Sequence, residues 1–97
     1  MPLYTVITHY NGEEYIDQMR GRTVRTAIAA WAKGTNIKNI SGLTVRHKQL
    51  LIAEIADPEN PCVRVEGVKN VWRMSALMKR KLVLIMAVRT DKRIDLK

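Results

Sequence analysis

Residues 3–10, LYTVITHY, are rich in β-branched and aromatic side chains, which suit a pleated, half-buried strand. Asn11-Gly12 follows, and a type I′ turn requires the positive φ values that this pair accepts at least cost. Counting outward from the turn sets a hairpin register: Tyr10 opposite Glu13, His9 opposite Glu14, Thr8 opposite Tyr15, Ile7 opposite Ile16, Tyr4 opposite Met19. One face then carries Tyr4, Val6, Thr8, Tyr10, Tyr15 and Met19, and the other Leu3, Ile7 and Ile16. Both faces have apolar content, so the alternation leaves open which of them is core.

After Gly21 the period changes from two to 3.6. Val24, Ala27, Ile28, Trp31 and Ala32 form one apolar stripe at helical spacing, which predicts a helix over Val24–Lys33. Thr23 is placed to cap its start and Gly34 to end it in a left-handed conformation. TNIKNISG reads as a loop. In residues 43–56, LTVRHKQLLIAEIA, the positions Leu43, His47, Leu50, Leu51 and Ile55 share a helical face, although QLLIAEI alone also fits a buried strand. We take the helix, ended by Asp57-Pro58. DPENPC is then a connector in which Pro58 and Pro61 push the residues before them toward extended backbone.

The C-terminal third holds two apolar stretches around the triplet Lys79-Arg80-Lys81. A tight turn at Lys79-Arg80 would set Met78 opposite Lys81 and Ala76 opposite Val83. Trp72, Met74, Ala76 and Met78 would then share a face with Val83, Ile85 and Ala87. Lys-Arg is a poor type I′ pair, which favours a four-residue loop instead. LVLIMAV, residues 82–88, is apolar on both faces, as in a strand covered on both sides or one whose second face meets another chain. RTDKRIDLK, residues 89–97, reads as a polar end, frayed over residues 90–97.

Ninety-seven residues, 46% hydrophobic and 27% charged, bound a single globular domain over residues 1–97. No apolar run has the length of a bilayer span, and the alternating N-terminus lacks the basic start and apolar stretch of a signal peptide. With one cysteine, Cys62, the expectation is a cytoplasmic protein that makes no membrane contact. The net charge of +8 is uneven: residues 1–19 contain no Lys or Arg, and ten of the seventeen bases lie beyond residue 60. That pattern suits a local basic patch better than a general polyelectrolyte role.

The segments YTV, YNGEEYIDQ, AIAAWA and NVW with Ser75 together resemble an uncharacterised family of short bacterial α+β proteins. The likeness runs through Gly12, Tyr15, Ile16, Gln18, Trp31, Asn70, Val71, Trp72 and Ser75. Where the family pattern has cysteine after the tryptophan, this chain has Arg73, which tells against thiol chemistry there. The resemblance implies the fold and carries no activity. The ββα opening is also similar in outline to half of the double-stranded-RNA-binding-like fold of small antitoxins, an architectural analogy only.

Catalytic patterns are sparse. Glu13 and Glu14 are adjacent on a strand, so they point to opposite faces and cannot clasp one bond. His9 and His47 are the only imidazoles, and HExxH, CxxC and Gly-rich phosphate-binding motifs are missing from the sequence. A cross-strand surface pair accounts for His9 with Glu14. Trp31 and Trp72 read as core anchors, and Met74, Met78 and Met86 as adaptable packing. The expectation is a protein that is not an enzyme and uses no cofactor and no metal.

Two binding readings remain. The first is an α+β domain, in the order β-β-α-α-β-β with an antiparallel sheet packed on helices, acting as a protein-interaction module. It would meet a protein partner or form a homodimer through Tyr4, Tyr10, Tyr15, Leu82, Leu84 and Met86. The alternative is a basic RNA- or DNA-binding module, of toxin–antitoxin or phage-defence type, using Arg22, Arg25, Lys79, Arg80 and Lys81. Charges flanking a very apolar strand also suppress misassembly, and without an RNP, GXXG or helix-turn-helix signature that reading of the triplet is favoured.

Overall fold

The structure, a computed structural model, describes residues 1–34, 44–78 and 80–90. Seven elements follow in chain order: β1 (Leu3–Tyr10), β2 (Glu13–Arg20), α1 (Val24–Gly34), α2 (Val45–Ala56), β3 (Val63–Arg64), β4 (Val71–Met78) and β5 (Lys81–Arg89). The strands form one antiparallel sheet in the order β2-β1-β5-β4-β3. The chain is an α+β domain as expected, with one additional strand, β3. At two residues, β3 is too short to show a hydrophobic period.

Both hairpins have the registers counted from their turns. Tyr10 pairs with Glu13 and Ile7 with Ile16, across a turn in which Asn11 (φ 53°) and Gly12 (φ 79°) both take positive φ. Met78 pairs with Lys81 and Ala76 with Val83. The expected four-residue loop is therefore corrected to a two-residue connection, which Arg80 accommodates at φ 64°. Here long-strand pairing outweighs the local cost of a non-glycine residue in left-handed backbone. Lys79 lies outside the described residues.

Between the hairpins, Thr23 caps α1: its Oγ1 accepts the Thr26 N–H at 3.2 Å. Gly34 is corrected in turn, because it is the last helical residue and has no positive φ. Gly21 serves close approach: a Cβ there would lie 2.5 Å from the backbone N of Ala27, so β2 can run directly into the first turn of α1. In α2, the Thr44 N–H donates to His47 Nδ1 at 3.1 Å, a reciprocal tie that starts the helix. Leu43 lies outside the described residues, as do residues 91–97, on which the expectation of a frayed end falls. Asp57 leaves α2 with extended backbone (φ −68°, ψ 118°), as a residue before proline must.

Both helices lie on one face of the sheet, α1 against β2, β1 and β5, and α2 against β4. The core is built from Tyr4, Val6 and Tyr10 of β1, Met74, Ala76 and Met78 of β4 and Val83, Ile85 and Ala87 of β5, closed by Ala27, Ile28, Trp31, Ala32, Leu51 and Ile55 of the helices. Trp31 is anchored at its polar end, where Nε1–H donates to Asp17 Oδ2 at 3.1 Å. Arg25 ties the helices together, its guanidinium donating to the carbonyls of Ile55, Asp57 and Asn60 as the chain leaves α2. Two of those acceptors, Ile55 and Asp57, lie at the C-terminal end of α2, where unpaired carbonyls favour a cation.

Candidate interaction site

The register of five strands fixes what lies on the face away from the helices. Reading across the sheet, one row is Ile16, Ile7, Met86, Arg73 and Val63. The neighbouring row toward the hairpin tips is Glu14, His9, Leu84 and Ser75, and beyond it lies the pair Leu82 and Leu77. On the other side lie Gln18, Thr5, Val88 and Val71. Apolar positions run along β5 and, broken only by Arg73, across the first row, and these two lines cross at Met86 on the middle strand. Ile16, Leu77 and Leu82 are each about 60% exposed, so a solvent-facing apolar patch spans the sheet. Contiguous apolar surface of this extent marks an interaction site far more often than scattered exposed residues do.

The face has an ordered polar border. His9 Nε2 lies 3.5 Å from Glu14 Oε2, the cross-strand pair expected from the register. Gln18 Nε2–H donates to Thr5 Oγ1 at 3.2 Å, and Thr5 Oγ1–H to Thr90 Oγ1 at 3.1 Å. At the opposite edge, β3 covers only Trp72 and Arg73 of β4. Where β3 stops, an open cleft of about 340 Å³ lies between Asn60, Pro61, Val63, Arg73, Ser75 and Leu84. Asn60 Nδ2–H donates to the Ser75 carbonyl at 2.8 Å and so closes part of the bare β4 edge.

The six interface candidates separate onto opposite faces. Leu82, Leu84 and Met86 lie on the open face. Tyr4 and Tyr10 are 4% and 3% exposed beneath the helices, and Tyr15 packs against the same core, its hydroxyl donating to Glu13. The tyrosine expectation is corrected: that strand face is the covered one, and Leu3, Ile7 and Ile16 belong to the open one. The partial clue in the sequence was Tyr15 and Met19, which share the Tyr4 side, where the more continuous apolar set sits.

The nucleic-acid candidates do not converge. Arg25 is engaged with main-chain carbonyls, and Lys81 Nζ–H donates to Asn11 Oδ1 at 2.6 Å. Arg22 is exposed at the end of the sheet where β2 enters α1, whereas Arg80 is exposed at the β4–β5 turn at the other end. An eight-residue strand separates these ends by roughly 27 Å. Lys79 is not among the described residues.

The groups with catalytic potential are likewise dispersed. His9 is on the open face, His47 is in the first turn of α2, and Cys62 is half-buried against the core. Burial pushes the Cys62 thiol above its ordinary value, and the nearby Arg25 charge only partly offsets this. Among the described residues, no group of three or more His, Cys, Asp or Glu is placed to hold a metal ion. No helix among them is long and apolar enough to cross a membrane.

No family model matches the chain, and neither does a curated protein or a solved structure. The motif resemblance therefore rests on its own residues and assigns no role to the open face.

Proposed function

We infer that this chain is a non-enzymatic protein-interaction module whose working surface is the open sheet face, and that its partner is a second copy of itself. The observation supporting the reading is the crossing of two apolar lines at Met86 on a face that neither helix covers. Four long strands about 4.8 Å apart, with eight residues each rising about 3.4 Å, give a footprint on the order of 500 Å². Two such faces bury on the order of 1,000 Å², the lower bound of a specific interface, so affinity on the order of micromolar is expected. A self-complementary patch of this kind is what an isologous two-fold dimer uses. Sheets packed this way form a sandwich about 10 Å thick between backbones, filled by the alternate side chains of both strand sets.

Light scattering on the wild-type protein and on Met86→Glu tests this reading. The wild type should show a mass above one chain, and Met86→Glu should return it to a monomer with an unchanged circular dichroism spectrum. Equal masses for the two proteins would count against the face.

A further inference from the structure

The charges bordering the open face go further and select the symmetry of the pair. A face-to-face dimer through Met86 has two simple choices of two-fold axis in the plane between the sheets. With the axis perpendicular to the strands, each strand lies over its own copy, and residues of the Ile7–Met86–Arg73 row meet themselves. Arg73 would then stand over the partner's Arg73, two like charges brought together as water is excluded. With the axis along β5, the middle strand still lies over its copy, but the β2 edge of each subunit lies over the β4–β3 edge of the other.

That second arrangement moves Arg73 away from its copy and toward a carboxylate. Glu14 belongs to the row of Leu84 and Ser75, and rows keep their height when the axis runs along the strands. Carried across, Glu14 arrives just outside β4, over the cleft bordered by Asn60, Pro61 and Arg73. Arg73 is exposed and, among the described residues, has neither an ion pair nor a hydrogen bond, while Glu14 is half exposed. The open cleft also answers a steric need, since it lies where the Glu14–His9 edge of the partner must fit.

We propose that the second copy docks with its two-fold axis along β5, each subunit placing Glu14 in the Arg73-lined cleft of the other. This rests on the open face being the self-association surface, as proposed above, and adds the identity of the residues that set the register. Electrostatic complementarity of this kind fixes orientation and rejects wrong pairings.

A charge-reversal mixing experiment tests it. Arg73→Glu alone and Glu14→Arg alone should each weaken self-association by about tenfold or more, since like charges then face one another twice per dimer. An equimolar mixture of the two variants should associate as the wild type does, because the heterodimer restores both opposite-charge contacts. Both positions are on the surface, and circular dichroism checks that each variant keeps the fold. If the wild type associates but the reversals have no effect, or the mixture fails to recover, the axis is wrong and the face survives. If the wild type does not associate at any concentration and Met86→Glu changes nothing, the face itself is wrong and the axis falls with it.

Discussion

At the scale of single residues, two positions test how the core was assembled. Gly21 is required by a backbone atom rather than by a movable side-chain tip, so the added methyl of Gly21→Ala has nowhere to go. Overpacking against main chain predicts a loss of about 1–3 kcal/mol in urea unfolding, and an unchanged midpoint would show that β2 and α1 are not so closely joined. Thr8 presents the opposite case. It is fully buried, and its Oγ1 has no hydrogen-bond partner among the described residues. Thr8→Val removes a desolvated hydroxyl at nearly constant volume, so stability should hold or rise by up to about 1 kcal/mol. A clear loss in the same unfolding experiment would mean that the hydroxyl is satisfied. Neither effect is visible in the sequence: a glycine between a strand and a helix looks like a turn, and a threonine in a strand looks like ordinary β preference.

The hairpins and helices were largely legible, because their signals are local. Asn11-Gly12 set one register, Met78 with Lys81 followed from counting, and the 3.6-residue stripe through Trp31 located α1. The misses have long-range causes. Lys79-Arg80 is unfavourable as a tight turn, yet eight paired residues on each side impose it. Gly34 has the composition of a left-handed cap without its backbone. β3 exists only because β4 offers it an edge. The connector between α2 and β3 carries a further prediction through Cys62, whose thiol is raised by burial. Alkylation at neutral pH should be slower than for an unhindered cysteine, since less thiolate is present and access is reduced. The sign for stability follows: a thiol raised on folding contributes fully below its unfolded value and loses that contribution as pH rises through the folded one. Wild type should therefore lose stability relative to Cys62→Ala as pH climbs above about 8.5, the ordinary thiol value. Parallel pH profiles for the two proteins, or alkylation as fast as that of a free thiol, would contradict the burial.

For the whole molecule, the sequence showed that residues 82–88 are apolar on both faces but not which face stays open. That depended on sheet order, with β5 at the centre, and on both helices choosing the tyrosine side. For this reason Leu82, Leu84 and Met86 lie on the open face, whereas Tyr4, Tyr10 and Tyr15 lie on the covered one. The same long-range organisation separates the basic groups, leaving Arg22 and Arg80 at opposite ends of the sheet. Binding to mixed RNA should accordingly be weak, and Arg80→Glu with Lys81→Glu should leave its salt dependence nearly unchanged in a filter assay. A steep salt slope that flattens in that double variant would instead establish phosphate contacts at the hairpin tip.

We propose that two copies of the chain cover each other's open sheet face. Sedimentation equilibrium of the wild-type protein from micromolar to millimolar concentration tests it most directly. The mass should climb from 11.1 kDa toward twice that value and level off there, as a closed two-fold pair must. A mass that stays at one chain throughout, or that climbs past two without a plateau, would contradict it.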